Sequence, residues 1–178
     1  VRSEVTSLPS PDADPAVAGQ AMLDSALAVV RRKSARYSVM HPLLIGALLG
    51  GAATDAPPYA ALRVFGEQVG IAFQLRDDVL GVYGDPDLTG KPAGDDLREG
   101  KRTVLLAMAW RRTDRAGRTL LSRVLANRGA DAGLIAVASA LIRDCGALAE
   151  HEEEIAAHAR AGIRALGGAP PGSLDEAG

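Results

Sequence analysis

Cysteine occurs once in these 178 residues, at Cys145, which excludes an internal disulfide and leads us to expect a reducing, cytoplasmic setting. Aromatic residues make up 3% of the chain, too few to build a surface that stacks nucleic-acid bases. Neither sign of charge dominates. Twenty Lys and Arg stand against 22 Asp and Glu, for a net charge of −2, so nothing attracts nucleic acid or an anionic membrane in general. Long hydrophobic runs are missing too. The longest apolar stretch, Pro42 to Ala53, is rich in glycine and shorter than the roughly 20 residues that a membrane-crossing helix needs. No basic, then hydrophobic, then small-residue signal opens the chain. A GxxxxGK[ST] phosphate loop is absent, as are β-rich segments and internal repeats.

What is present suits one helical domain: 47% hydrophobic and 24% charged residues, in the range of globular proteins with a core. The class expected is all-α. Residues 1–15 are polar and proline-rich and read as a flexible lead-in. Residues 16–168 form the helical domain, and 169–178 read as a disordered tail. Asp14 and Pro15 are a cap and first-turn pair for a helix from Pro15 to Tyr37, and Pro42 opens the next. A turn over Thr54 to Pro58 leads to a long helix, Tyr59 to Tyr83, with an apolar stripe of Leu62, Phe65, Val69, Phe73 and Leu80. Thr103 to Arg112 is apolar nearly all round and is expected to be buried, Trp110 included. Two or three further helices, at about 115–127, 132–144 and 147–166, are stopped or separated by Gly129, Gly146 and Gly167-Gly168.

The charge is concentrated between Phe73 and Lys101, FQLRDDVLGVYGDPDLTGKPAGDDLREGK. Gln74, Asp77 and Asp78 lie at i, i+3 and i+4 and project from one side of one turn. An Asp-Asp pair by itself is ordinary solvated surface. Here a glycine- and proline-broken loop follows it with Lys91, Asp95, Asp96, Arg98, Lys101 and Arg102. Adjacent carboxylates repel unless a cation joins them. Their oxygens suit Mg²⁺, which shares its shell with water and substrate phosphates. Lysines supply point charges for phosphate oxygens, and glycines let the backbone approach. Together these residues describe a diphosphate–metal site.

The run FQLRDD…GDPDLTGKPAGDDLREGKRT resembles the second aspartate-rich region of the trans-isoprenyl diphosphate synthases, nearest to the bacterial short-chain and geranylgeranyl branch. Upstream, Lys33-Ser-Ala-Arg-Tyr37 followed by His-Pro-Leu resembles that family's Lys-Thr/Ser-Ala-x-Tyr helix. The resemblance implies a helical bundle of the isoprenoid synthase type, three Mg²⁺ ions, and condensation of an allylic diphosphate with isopentenyl diphosphate. It assigns Asp77 and Asp78 to Mg²⁺ and Gln74 to the reacting centre. Phe73 would lie against the isopentenyl group, and Lys33 and Lys91 would clamp the allylic diphosphate. Ser34 takes the place of the hydroxyl that faces the developing cation, with Tyr37 nearby. Asp95 would order metal-bound water and Lys101 would add charge behind it. Asp96 and Arg98 are weaker candidates.

The sequence also departs from the family pattern. The fifth position of DDxxD is Gly81. No other DDxxD or DDxxxxD occurs in the 178 residues, and the Arg-Arg pair that follows the first such motif is absent. The family needs about twice this length, so the expectation is its C-terminal half, inactive alone, joined to a complementary N-terminal half or self-associated. The alternatives are a diphosphate-binding pseudoenzyme or regulatory subunit of a full-length synthase, and a helical interaction domain. The remaining candidates read as structural. His151 and His158 are expected on a solvated face, Cys145 in the core and His41 at a helix entry. Gln20 and Asp24 only loosely echo a family Gln-x-x-Asp.

Overall fold

The computed structural model describes residues 8–127 and 129–168; the expected tail 169–178 and the first seven residues of the expected lead-in lie outside that range. Among the described residues every regular element is helical. Helix α1 spans Pro15–Val29, a π-helix spans Val30–Met40, and α2 spans His41–Leu49. After these come α3 (Pro57–Tyr83), two one-turn helices, α4 (Pro86–Thr89) and α5 (Asp95–Arg98), then α6 (Val104–Arg112), α7 (Arg115–Ala126), α8 (Ala132–Asp144) and α9 (Ala147–Gly167).

Local chemistry explains most of these boundaries. Asp14 Oδ1 accepts from the Ala16 and Val17 amides, satisfying donors that an α-helix start leaves open. Thr103, Asp114 and Asp131 cap α6, α7 and α8 in the same way. Gly146, at φ 82, takes the left-handed conformation that ends α8. No break separates α1 from α2, contrary to the reading that one helix ends at Tyr37 and Pro42 opens another. Between them the chain widens into π geometry, with the His41 amide bonded back to the Arg36 carbonyl. His41 is thus the π-to-α junction, not a helix entry.

The described residues form two compact units. One holds the chain up to Ala26 with Asp78–Glu150, and the other holds Leu27–Asp77 with the chain from His151 onward. In the first unit, Val104 to Trp110 is buried throughout, as its unbroken apolar character predicts. Leu121, Val124, Ile135, Ala138 and Ile142 from α7 and α8 complete that core. Residues 8–14 belong to this unit. Arg115 pairs with Asp12, and the Arg118 guanidinium donates to the Pro11 carbonyl at 2.9 Å. Cys145 is half-buried rather than in the core; its thiol donates to the Ile142 carbonyl.

The second unit is built on close backbone contact. A Cβ at Gly70 would stand 2.5 Å from Ala35 Cα, and one at Gly66 would stand 2.8 Å from Met40 Cα. Only glycine at both positions lets α3 lie directly on the π-helix. Gly162 of α9 plays the same part against the Val69 side chain. The buried side of α3 in this unit carries Ile71, Ala72 and Leu75. Phe73 and Leu80 of the expected stripe are exposed instead. Phe65 and Val69 of the stripe do lie against α9 at Gly162, while the contact with the π-helix runs along the glycines.

Candidate functional site

In the second unit, three of the residues singled out above form one hydrogen-bonded chain. Ser34 Oγ donates to Gln74 Oε1 at 2.5 Å, and Gln74 Nε2 donates to Asp77 Oδ2 at 3.2 Å. The two bonds orient the Gln74 amide and tie the π-helix to the turn of α3 that carries Asp77. The Gly66 and Gly70 contacts bring Ser34 within reach; a wider helix separation would leave a short hydroxyl unable to span the gap. Lys33, Tyr37, Phe73 and Asp77 are all exposed. Phe73, an apolar ring left 67% exposed directly before Gln74, is a surface that a ligand can cover.

The same unit holds two histidines that the sequence pattern assigns to a solvated face, and that assignment is corrected. His151 is fully buried, and its Nε2 lies 2.9 Å from the Leu75 carbonyl oxygen. His158 Nδ1 lies 2.7 Å from Gln68 Oε1. Burial lowers the pKa of both rings. The Leu75 carbonyl, which raises His151, and Glu154, which raises His158, do not offset it. The folded chain therefore binds fewer protons than the unfolded chain below about pH 6.5, the ordinary histidine value. Stability from both groups is present above that pH and drains away as pH falls through the lowered folded-state pKa values. The urea midpoint is expected to fall on going from pH 7.5 to pH 5, and to fall less in His151→Phe; equal falls in the two chains would contradict the assignment.

In the first unit, Asp96 and Lys101 stand out. Asp96 is 6% exposed, and Lys101 Nζ sits 2.5 Å from its Oδ1 and 3.2 Å from Glu99 Oε2. Burial opposes the Lys101 charge, but the hydrogen bonds to Asp96 and Glu99 outweigh it and raise its pKa. A Cβ at Gly81 would fall 2.2 Å from Asp96 Oδ2. The glycine at the fifth motif position thus leaves room for a carboxylate from α5. Asp95, the stronger candidate by sequence, is half-buried. Asp78 is 5% exposed, while Lys91 is exposed. Arg98 is half-buried, and its guanidinium donates to the Ala93 carbonyl. The spacing of Gly66, Gly70 and Gly81 is the signal in the sequence for this packing, and a reading by apolar stripes passes over it.

A family model described as Polyprenyl synthetase matches residues 10–142. This chain belongs to that family. Among its relatives, the geranylfarnesyl diphosphate synthase of Aeropyrum pernix is 40% identical over 104 residues, which is 58% of this chain and 31% of that protein. The geranylgeranyl diphosphate synthase of Mycobacterium tuberculosis is 37% identical over 102 residues, 57% of this chain and 29% of that one. A geranylgeranyl pyrophosphate synthase structure from Corynebacterium glutamicum, complexed with isoprenyl diphosphate and magnesium, superposes with a TM-score of 0.74 at 39% identity. That match covers 88% of this chain and 48% of the other. The chain spans about half the length of such solved relatives, and they share its all-helical architecture.

The family implies a bound metal, and the donor chemistry can be set against it. Among the described residues no group of three or more His, Cys, Asp or Glu is arranged to enclose a cation. Adjacent Asp77 and Asp78 on α3 are nevertheless hard oxygen donors. Mg²⁺ is commonly held by one or two carboxylates plus water and phosphate oxygens; Asp77, exposed on α3, is a donor of that kind, while Asp78 is 5% exposed. No single helix among the described residues is long and apolar enough to cross a membrane.

Proposed function

We propose that this chain contributes the second aspartate-rich region of a polyprenyl diphosphate synthase, which condenses an allylic diphosphate with isopentenyl diphosphate. The single observation that carries the reading is the Ser34–Gln74–Asp77 hydrogen-bonded chain. It links the lysine motif to the aspartate motif through an oriented amide. Asp77 and Asp78 hold Mg²⁺, which when bound stabilises charge on the departing diphosphate. Lys33 and Lys91 bind diphosphate oxygens, and Phe73 covers the isopentenyl group. Gln74, held by Ser34 and Asp77, faces the reacting carbon. Ser34 turns its oxygen lone pairs toward the positive charge that develops there. The allylic C–O bond breaks with its electron pair leaving on diphosphate. The double bond of isopentenyl diphosphate then forms the new C–C bond, and a proton is lost to restore an alkene.

In this reading Asp95 orders metal-bound water and Lys101 adds charge behind it, with Asp96, bonded to Lys101, the weaker candidate. The first aspartate-rich motif, absent from these 178 residues, is supplied in this reading by a complementary half, in a reducing, cytoplasmic setting. Calorimetric titration of the chain with inorganic pyrophosphate in the presence of Mg²⁺ tests the site. Binding is expected, and Lys33→Ala or Lys91→Ala should each weaken it roughly 10- to 100-fold, the range of a hydrogen bond to a charged group. Unchanged affinity in both variants counts against the assignment.

A further inference from the structure

A polar side chain buried without full pairing has to be accounted for, because an apolar one of similar size would pack there without cost. His151 is such a group. It is fully buried on α9, its Nε2–H donates to the Leu75 carbonyl, and its Nδ1 has no hydrogen-bond partner. The accepting carbonyl lies within α3, where the helix's own i+4 amide already points at it, so the bond serves placement more than satisfaction of the backbone. The next residue of α9 grips the next residue of α3. Glu152 receives both Arg76 terminal nitrogens at 2.6 Å, a two-pronged geometry that fixes direction as well as distance. Two consecutive residues of α9 thus hold two consecutive residues of α3. A single contact leaves a helix free to roll about its axis, whereas two adjacent ones set its azimuth. The positions so held, 75 and 76, lie between Gln74 and Asp77. At about 100° per residue, Asp77 then points to the side of α3 away from Leu75.

We infer that His151 and Glu152 are positioning residues for the Gln74–Asp77 turn, setting where the amide and the carboxylate stand without touching a ligand. This rests on the site reading above. It accounts for a histidine whose second nitrogen is buried unpaired: what is selected is the Nε2–H donor at one height on α3, at the expense of packing.

The test is calorimetry with Mg²⁺ and inorganic pyrophosphate on the full 178-residue chain, beside thermal unfolding of the same variants. His151→Phe keeps a ring and removes the donor. It is expected to melt within about 4 °C of the unsubstituted chain, the shift that accompanies roughly 1 kcal/mol in a domain of this size. Its affinity is expected to fall about tenfold, the low end for groups that orient metal ligands. His151→Gln restores an N–H donor and should recover most of the loss, which a role in packing alone does not predict. Glu152→Gln, an isosteric change at a half-buried position, should weaken binding in the same direction and keep the variant set informative if His151→Phe fails to fold. Equal affinity in the unsubstituted, His151→Phe and Glu152→Gln chains overturns the proposal. Absence of Mg²⁺-dependent binding in the unsubstituted chain overturns the site reading itself, and the proposal with it.

Discussion

Replacing Asp77 and Asp78 together with alanine is expected to abolish Mg²⁺-dependent pyrophosphate binding, a loss upward of about 100-fold and beyond what an outer-shell substitution causes. Both carboxylates stand on one turn of α3, and one cation joined to both relieves their mutual repulsion. Without them a diphosphate meets only lysines, and the affinity left is the screened attraction of exposed point charges. The paired asparagine variant, Asp77→Asn with Asp78→Asn, separates charge from shape. It keeps an acceptor for the Gln74 amide, which bonds Asp77 at 3.2 Å, yet should lose binding almost as completely. Chelation of Mg²⁺ should reproduce the loss in the unsubstituted chain. Pyrophosphate binding that survives both the substitutions and the chelator would place the anion elsewhere on the molecule.

Gly70→Ala is expected to destabilise the fold by about 1–3 kcal/mol, the cost of forcing extra volume into a packed contact. The new methyl group would lie 2.5 Å from Ala35 Cα and 3.1 Å from the Ala35 carbonyl oxygen. Both are backbone atoms, so relief requires α3 and the π-helix to separate. Separation stretches the Ser34–Gln74 bond, and Gln74 loses the contact that orients it; pyrophosphate affinity should drop together with the urea midpoint. Gly46→Ala is the matched control. Gly46 is exposed on α2, and a methyl group added there would have nothing within 4 Å. Alanine at that position should stabilise by roughly 0.5–1 kcal/mol through helix propensity. Opposite signs at the two glycines are the signature of the close contact. A Gly70→Ala chain as stable as the Gly46→Ala chain would show that the helices do not meet through position 70.

Residue type and spacing alone determined a good deal of this protein. Apolar residues at helical spacing, capping Asp14 and the glycine stops set an all-α chain, with boundaries within two residues for α3 and for α6 through α9. The continuous apolar run Val104 to Trp110 could only be buried, because nothing in it prefers water. The charge and glycine crowded between Phe73 and Lys101 have no use in a helix that merely packs and pointed to a diphosphate–metal site; the family came from the resemblance of that run, and of Lys33 to Tyr37, to its motifs, and the match over residues 10–142 bears it out. Tertiary structure decided the rest. Which side of α3 meets the π-helix depended on glycines 66 and 70, whose missing side chains carry no hydrophobic signal yet permit backbone-to-backbone approach. Asp95 and Asp96 are chemically identical, and only the space left by Gly81 makes Asp96 the buried, lysine-bound member. The histidines of α9 sit among glutamates and read as solvated. What lies opposite each of them is set by residues some 76 to 90 positions away in sequence, and no local pattern of charge or hydrophobicity encodes a partner that distant.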